Sequence, residues 1–177
     1  MITEHFRLVI ETFRELELEK MLAVDIPGYK TITVKNLILD LNGTIAVDGK
    51  LRIGVAEKIN KLSQRGIKVY VVTAGTHGRI EEIKKDLNVE LLLINRGDED
   101  AQKRDLIEKI GKGVTVAVGN GANDYLMLKE AVLSIVVLED EGAYLKNLFE
   151  ADIVTKSSEG ALDLLLNPKR LVATLRR

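Results

Sequence analysis

The segment Leu37-Ile38-Leu39-Asp40-Leu41-Asn42-Gly43-Thr44 constrains this chain more than any other. Leu37 to Leu39 is wholly apolar and follows the β-branched run Thr31-Ile32-Thr33-Val34. It is too short for a stable helix. Its unbroken hydrophobicity is that of a strand buried on both faces, as inside a parallel sheet. A carboxylate stands where that strand should end, followed by an Asn-Gly turn. An ionised Asp there is costly to desolvate unless a cation or hydrogen-bond donors meet it. Open α/β sheets bind ligands at the carboxyl ends of their strands. Asp40 is therefore a candidate nucleophile or metal ligand by position alone.

The rest of the chain alternates strand and helix patterns. Val55, Ile59 and Leu62 share a helical face over Val55 to Arg65, and Gly66 ends it. Ile67 to Val72 is the next buried strand, Ile80, Ile83 and Leu87 mark a helix, and Val89 to Ile94 is a third strand. A helix over Ala101 to Ile110 is capped by Gly111. Val114 to Val118 follows as a strand, then a helix through Leu128. Val132 to Leu138, a helix near Ala143 to Phe149, a strand at Ile153-Val154 and a helix over Glu159 to Leu166 complete the pattern, which Asn167-Pro168 breaks. This rhythm predicts an α/β fold, a doubly wound parallel sheet with helices on both faces. At 177 residues a single domain, residues 1–177, is expected. Its core would span 31–177, and an extension over 1–30 would carry one helix and one strand. Phe6, Val9, Ile10, Phe13 and Leu16 form the apolar stripe of that helix. Packing on the sheet is its first reading and a homo-oligomer contact its second. Met21 to Ile26 reads as the strand, turned by Pro27-Gly28.

Composition narrows the function classes. A net charge of −1 supplies no electrostatic reason to expect a nucleic-acid partner. The chain has no cysteine, hence no disulfide framework and no thiolate metal site. No apolar run reaches membrane-spanning length and no signal peptide is recognisable, so no membrane association and a cytoplasmic location are expected.

Three further polar features are expected at the edge that carries Asp40. Thr73 ends Val69-Tyr70-Val71-Val72 and precedes Ala74-Gly75; alone, its hydroxyl is equally a helix cap or a turn bond. Lys103, Leu106, Ile107 and Ile110 repeat at i, i+3, i+4, i+7, which puts a lysine in the first turn of a buried helical face. Helices antiparallel to the strands begin at the strands' carboxyl edge, so the ammonium can reach toward Asp40. Gly119-Asn120-Gly121-Ala122-Asn123-Asp124 starts another such face, continued by Met127, Leu128 and Ala131. A first-turn Asp is also simply favourable to the helix dipole, by up to about 1 kcal/mol. Two such charges of opposite sign facing a strand-end Asp are hard to ascribe to coincidence. Other candidates are weaker. Gly119-x-Gly121 lacks the third glycine of a dinucleotide fingerprint, and Gly111-Lys112-Gly113 lacks Walker spacing. His77, near Thr73, reads as a solvated loop residue. Lys169, Arg170, Arg176 and Arg177 read as a solvated helix terminus.

In this order the four features resemble the haloacid dehalogenase superfamily of phosphohydrolases. Asp40-x-x-Gly43-Thr44-Ile45 is similar to its first motif, and Gly119 to Asp124 to its acidic motif in the form found in P-type ATPases and their soluble relatives. Asp25-Ile26-Pro27-Gly28 and Leu166-Asn167-Pro168-Lys169-Arg170-Leu171 resemble a small soluble P-type ATPase-like subgroup. The resemblance implies that Asp40 attacks phosphorus and becomes an aspartyl-phosphate. It implies that Gly43, Thr73, Ala74, Lys103 and Asn123 bind the phosphoryl group of a phosphorylated substrate. It implies Mg²⁺ held by Asp40, the backbone carbonyl of Asn42, Asn120 and Asp124.

Two positions depart from the family pattern. Asn42 stands where many members carry an acid–base Asp, and an amide cannot transfer a proton. Asn120 stands where a charged metal-binding Asp is usual. Only Ile45 to Gly54 separate the nucleophile loop from the next helix, which leaves no room for a cap domain there. No ATP-binding insertion or membrane helix is recognisable, so an ion pump is not expected. The expected function is that of a capless, Mg²⁺-dependent phosphohydrolase or phosphotransferase that favours good leaving groups such as acyl phosphates. The alternatives are a catalytically impaired phosphate-binding or regulatory module of the same fold, and a structural oligomer. Truncating Lys103 is expected to abolish activity and largely spare stability, because its stem packs at a helix end.

Overall fold

A computed structural model of the chain describes residues 21–75 and 87–177. The stripe from Phe6 to Leu16, the oligomer contact assigned to it, His77 and the helix marked by Ile80 and Ile83 lie outside the described residues.

The central strand β3 (Asn36–Asp40) is buried along its whole length. It is flanked by β6 (Lys68–Thr73) and β8 (Thr115–Gly119), with β7 (Glu90–Leu93), β9 (Leu133–Val137) and β10 (Ile153–Thr155) outside them. β1 (Leu22–Ile26), β2 (Lys30–Val34), β4 (Ala46–Val47) and β5 (Lys50–Leu51) belong to two small hairpins. The six-stranded sheet has the order β10-β9-β8-β3-β6-β7, and every neighbouring pair in it is parallel. The chain moves outward from β3 through β6 to β7 and then returns to β8 on the other side. β3 is thus the topological switch point, where an open α/β sheet leaves a crevice at its carboxyl edge.

Helices cover both faces of the sheet. α1 (Val55–Gln64), α5 (Ser158–Leu166) and α6 (Pro168–Leu175) share one core with Leu37 and Leu39, through Ile59, Leu62, Leu162, Leu165 and Leu171. α2 (Glu99–Ile110) and α3 (Tyr125–Glu130) cover the other face, where Ile107, Met127 and Leu128 meet Ile38, Tyr70 and Val72. Successive β3 side chains point to opposite layers, which is why the strand reads as an unbroken apolar run. α4 (Leu145–Glu150) precedes β10.

Two local features add to the expected pattern. Thr31-Ile32-Thr33-Val34 does not continue into β3. It pairs antiparallel with β1 as a separate hairpin, with Ile26 opposite Lys30 across the Pro27-Gly28 turn. That hairpin therefore runs across the boundary between residues 30 and 31. β4 and β5, in turn, form a two-stranded flap between the loop after β3 and α1. Asp48 and Gly49 at its tip both adopt positive φ (50° and 77°), the backbone that tight hairpin turns require. Nothing larger is inserted there.

The β1–β2 hairpin is fastened to the sheet by polar contacts. The Tyr29 hydroxyl donates to Asp152, whose other oxygen accepts the Ser134 N–H at 2.8 Å. Lys30 Nζ donates to the Val132 carbonyl at 2.6 Å. Burial and the Asp152 carboxylate push the Tyr29 phenol up to about 12, so it remains a donor at any ordinary pH. Tyr29→Phe is expected to reduce stability by about 1.5 kcal/mol, the scale of a hydrogen bond to a charged group, with no effect at the sheet's carboxyl edge. Urea unfolding of the variant and the parent checks this.

Candidate active site

Strand register brings the first groups together. Asp40 pairs with Val72, one residue before Thr73, and Leu39 pairs with Val118, one residue before Gly119. Asp40, Thr73 and Gly119 thus end three adjacent strands at one edge. α2 begins at that edge and delivers Lys103. Because the helix starts at Glu99, Lys103 opens its second turn rather than its first.

The Lys103 side chain is 1% exposed, and its ammonium lies 2.6 Å from Asp40 Oδ1 and 2.6 Å from Asp124 Oδ1. Asp124 is wholly buried. Its second oxygen accepts the backbone N–H groups of Asn120 at 3.0 Å and Gly121 at 2.9 Å. This closure requires glycine at 119, where a Cβ would stand 2.5 Å from the Asp124 carboxylate. Thr44 Oγ1 bridges the remaining groups, at 3.0 Å from Asn120 Oδ1 and 3.3 Å from Asp40 Oδ2. Thr73 Oγ1 accepts the Gly75 N–H at 3.0 Å and lies 3.4 Å from Asn42 Nδ2. Its own proton is used in neither contact.

Burial pushes the Asp40 carboxyl up to about 7, and the Asp124 charge adds to the effect, against the pull of Lys103 and Thr44. Burial alone would lower Lys103. The Asp124 and Asp40 charges outweigh it and raise the ammonium above its ordinary value. The cluster therefore carries two carboxylates against one cation, an imbalance that favours a further cation nearby.

A cavity of about 460 Å³ opens in front of Asp40. Asn42, Thr73, Ala74, Asn120 and Asn123 line it with Asp40, together with Glu141 to Tyr144. Lys103 and Asp124 lie behind Asp40 rather than in this wall, and Gly43 packs beneath Asn120 and Glu141. Asp40, Asn42 and Asn120, the residues expected to hold a cation, line this cavity and offer only oxygen donors. An all-oxygen set suits a hard cation such as Mg²⁺. Among the described residues, no three of His, Cys, Asp or Glu converge as a metal cluster. A bound ion would therefore rest partly on neutral carbonyl and amide oxygens.

Three contributors escaped the sequence reading. Thr44 cross-links Asp40 to the Asn120 loop. Asn147, fully buried, donates to the Gly121 carbonyl at 2.7 Å and holds that loop from α4. Glu141 reaches the cavity from the loop after β9. Its signal was present, since Glu139, Asp140 and Glu141 follow a buried apolar run as Asp40 does.

Comparison with known proteins gives the family. The sequence profile of haloacid dehalogenase-like hydrolases matches residues 2–131. The chain belongs to the haloacid dehalogenase-like hydrolase family. An uncharacterized protein of Methanocaldococcus jannaschii is 46% identical over 84 residues, 45% of this chain and 90% of that protein. A soluble P-type ATPase-like phosphatase of the same organism is 31% identical over 123 residues, 68% of this chain but only 45% of the relative. The fold matches a 3-deoxy-D-manno-octulosonate 8-phosphate phosphatase from Moraxella catarrhalis, solved with magnesium and phosphate ions. The TM-score is 0.65 at 17% identity, covering 81% of this chain and 94% of that one. Among the described residues, no helix is long and apolar enough to cross a membrane.

Lys103 differs from its sequence reading in one respect. Its ammonium, not only its stem, is buried between two carboxylates, so removing it leaves those charges uncompensated. Lys103→Ala is expected to destabilise the metal-free protein by about 3–5 kcal/mol. The sign of the pH effect follows from Asp40. A carboxyl whose folded pKa is raised binds a proton in the folded state that the unfolded chain has released, so stability falls as pH rises from about 4 through the folded value. Without Lys103 that value rises further, so the deficit of the variant grows between pH 5 and pH 8. Thermal unfolding in EDTA at both pH values checks the magnitude and the trend.

Proposed function

We propose that the protein is a Mg²⁺-dependent phosphohydrolase or phosphotransferase acting through an aspartyl-phosphate on Asp40, with a preference for good leaving groups. One observation carries this reading. Asp40 is held by Lys103 at Oδ1, and it lines a cavity together with Thr73 and Asn120. That is the arrangement an in-line attack on phosphorus needs.

In the first step Asp40 Oδ2 forms a bond to phosphorus, and the bond from phosphorus to the leaving oxygen breaks, its electron pair departing with the leaving group. In the second step water attacks the same phosphorus. The phosphorus–Asp40 bond breaks, inorganic phosphate leaves, and the Asp40 carboxylate is regenerated. Lys103 keeps the attacking carboxylate oriented, and its charge lies close enough to moderate that of the phosphoryl oxygens. The Thr73 hydroxyl and the Ala74 and Asn123 segments bind those oxygens. Mg²⁺ held by Asp40, the Asn42 carbonyl and Asn120 would supply charge neutralisation at the phosphoryl group. Asp124 contributes indirectly, because its two oxygens already bind Lys103 and the Asn120 loop.

The amide at position 42 supports the leaving-group preference. An alkoxide needs a proton in the transition state and Asn42 has none to transfer, whereas a carboxylate leaves without one. Acyl phosphates are the substrate class that fits best. The soluble P-type ATPase-like phosphatase among the relatives is consistent with this chemistry.

Incubation with acetyl phosphate and Mg²⁺ should label Asp40, with phosphate release lost in Asp40→Asn. Label retained in that variant, or mapped elsewhere, would overturn the assignment. Phosphate bound without turnover would favour a regulatory phosphate-binding module instead.

Asn42→Asp is expected to raise turnover of alkyl phosphates by about 10²-fold, within the usual range of acid–base catalysis, and to change acyl phosphates far less. The comparison requires saturating Mg²⁺, since the new charge also tightens metal binding. An equal gain for both classes would place the effect on metal affinity or geometry rather than proton transfer.

A further inference from the structure

Asn120 poses a charge problem for the cation site proposed above. It offers an amide oxygen where a carboxylate would contribute a full negative charge, and Asp124, wholly buried, is not part of the cavity lining. The loop after β9 carries three carboxylates. Two are committed: Glu139 and Asp140 each lie 2.9 Å from Arg52 Nη1, and Glu139 also accepts from Ser158 Oγ at 2.8 Å. Glu141 is different. Among the described residues its carboxylate has no hydrogen bond or ion pair, and it lines the same cavity as Asp40, Asn42 and Asn120.

Its position is defined by Gly43. A Cβ there would lie 2.5 Å from Glu141 Oε2 and 2.9 Å from Asn120 Nδ2. The carboxylate therefore lies over the nucleophile loop, beside the residue whose charge is missing. Gly43 also needs φ +76°, so both backbone and space call for glycine. The Asn120 amide is itself what holds the acidic loop in place. Its Nδ2 donates to the Gly142 carbonyl at 2.9 Å, while its Oδ1 accepts from Thr44. An Asp at 120 would turn an acceptor toward that carbonyl and lose the bond. Neutral Asn120 and charged Glu141 thus form a complementary pair.

We propose that Glu141 is a ligand of the divalent cation in this site, directly or through a bound water, and that it replaces the negative charge Asn120 lacks. The assignment rests on the metal-dependent reading given above. It makes the loop after β9 part of the metal site, so cation binding ties that loop to the nucleophile loop.

Binding is measured without substrate on the full chain, by calorimetry for Mg²⁺ and by electron paramagnetic resonance for Mn²⁺. Glu141→Gln is expected to weaken both by about tenfold or more, with its unfolding midpoint in EDTA unchanged. Asp140→Asn removes an equal charge from the neighbouring position and is expected to leave affinity little altered. Adding Asn120→Asp to Glu141→Gln returns the charge to the other side of Gly43 and should recover affinity. Parental affinity in Glu141→Gln overturns the assignment, as does an equal loss in Glu141→Gln and Asp140→Asn, which would be a long-range charge effect. Asp40→Asn separates the two levels of inference. If the parent binds metal, Asp40→Asn does not, and Glu141→Gln is unaffected, the role of Glu141 falls and the proposed function stands. A parent that binds neither ion removes both the Glu141 assignment and the Mg²⁺ dependence.

Discussion

The Lys103 ammonium shared between Asp40 and Asp124 is the interaction on which the rest of the site depends. It joins a strand end, a helix and a glycine-rich loop that are distant in sequence, inside a region almost closed to water. Two carboxylates around one ammonium leave residual negative charge beside the cavity. That residue of charge can be tolerated because it is directed at a space where a cation can bind, and it keeps Asp40 poised rather than fully neutralised. Burial makes the same ion pair a structural element: an ammonium that holds Asp40 in place also prevents two carboxylates from facing each other unscreened.

Around this centre the loops are held mainly by backbone and amide hydrogen bonds. Asp124 accepts two N–H groups of the Asn120 loop, Asn147 fastens the same loop from α4, and Asn120 reaches across to Gly142. Neutral amides therefore do much of the positioning, which explains how Asn can occupy position 120 and still belong to an ordered site. The cavity stays open because only the short β4–β5 flap fills the interval between the loop after β3 and α1. Under the proposed function, that opening would let a large molecule present a phosphoryl group to Asp40.

Much of this was legible in the order of residues. The unbroken run Leu37 to Leu39 determined a strand buried on both faces, because no amphipathic alternative suits three consecutive apolar residues before a carboxylate. The helical spacing of Lys103 with Ile107, and of Asp124 with Met127 and Leu128, determined that charged groups open buried faces. With antiparallel helices, that spacing also located them at the strands' carboxyl edge. Asp40, Thr73 and the Gly119 to Asp124 loop were identified from these local patterns, since a strand's end and a helix's face are decided by neighbours in sequence.

Tertiary structure decided what depends on partners from elsewhere in the chain. Thr31 to Val34 looks like the start of β3, yet it pairs with β1, because a hairpin is selected by the complementary strand and the Pro27-Gly28 turn rather than by β-propensity alone. Asp124 carries the composition of a metal ligand, but the backbone N–H groups of Asn120 and Gly121 claim one oxygen and Lys103 the other. Glu139, Asp140 and Glu141 are indistinguishable as residue types. Arg52 and Ser158 engage the first two, and the third is left over Gly43 at the cavity. Sequence determines which groups can reach the edge of the sheet; only the folded chain decides which of them are consumed by neighbours and which remain available for chemistry, because that depends on distances between segments that no local pattern encodes.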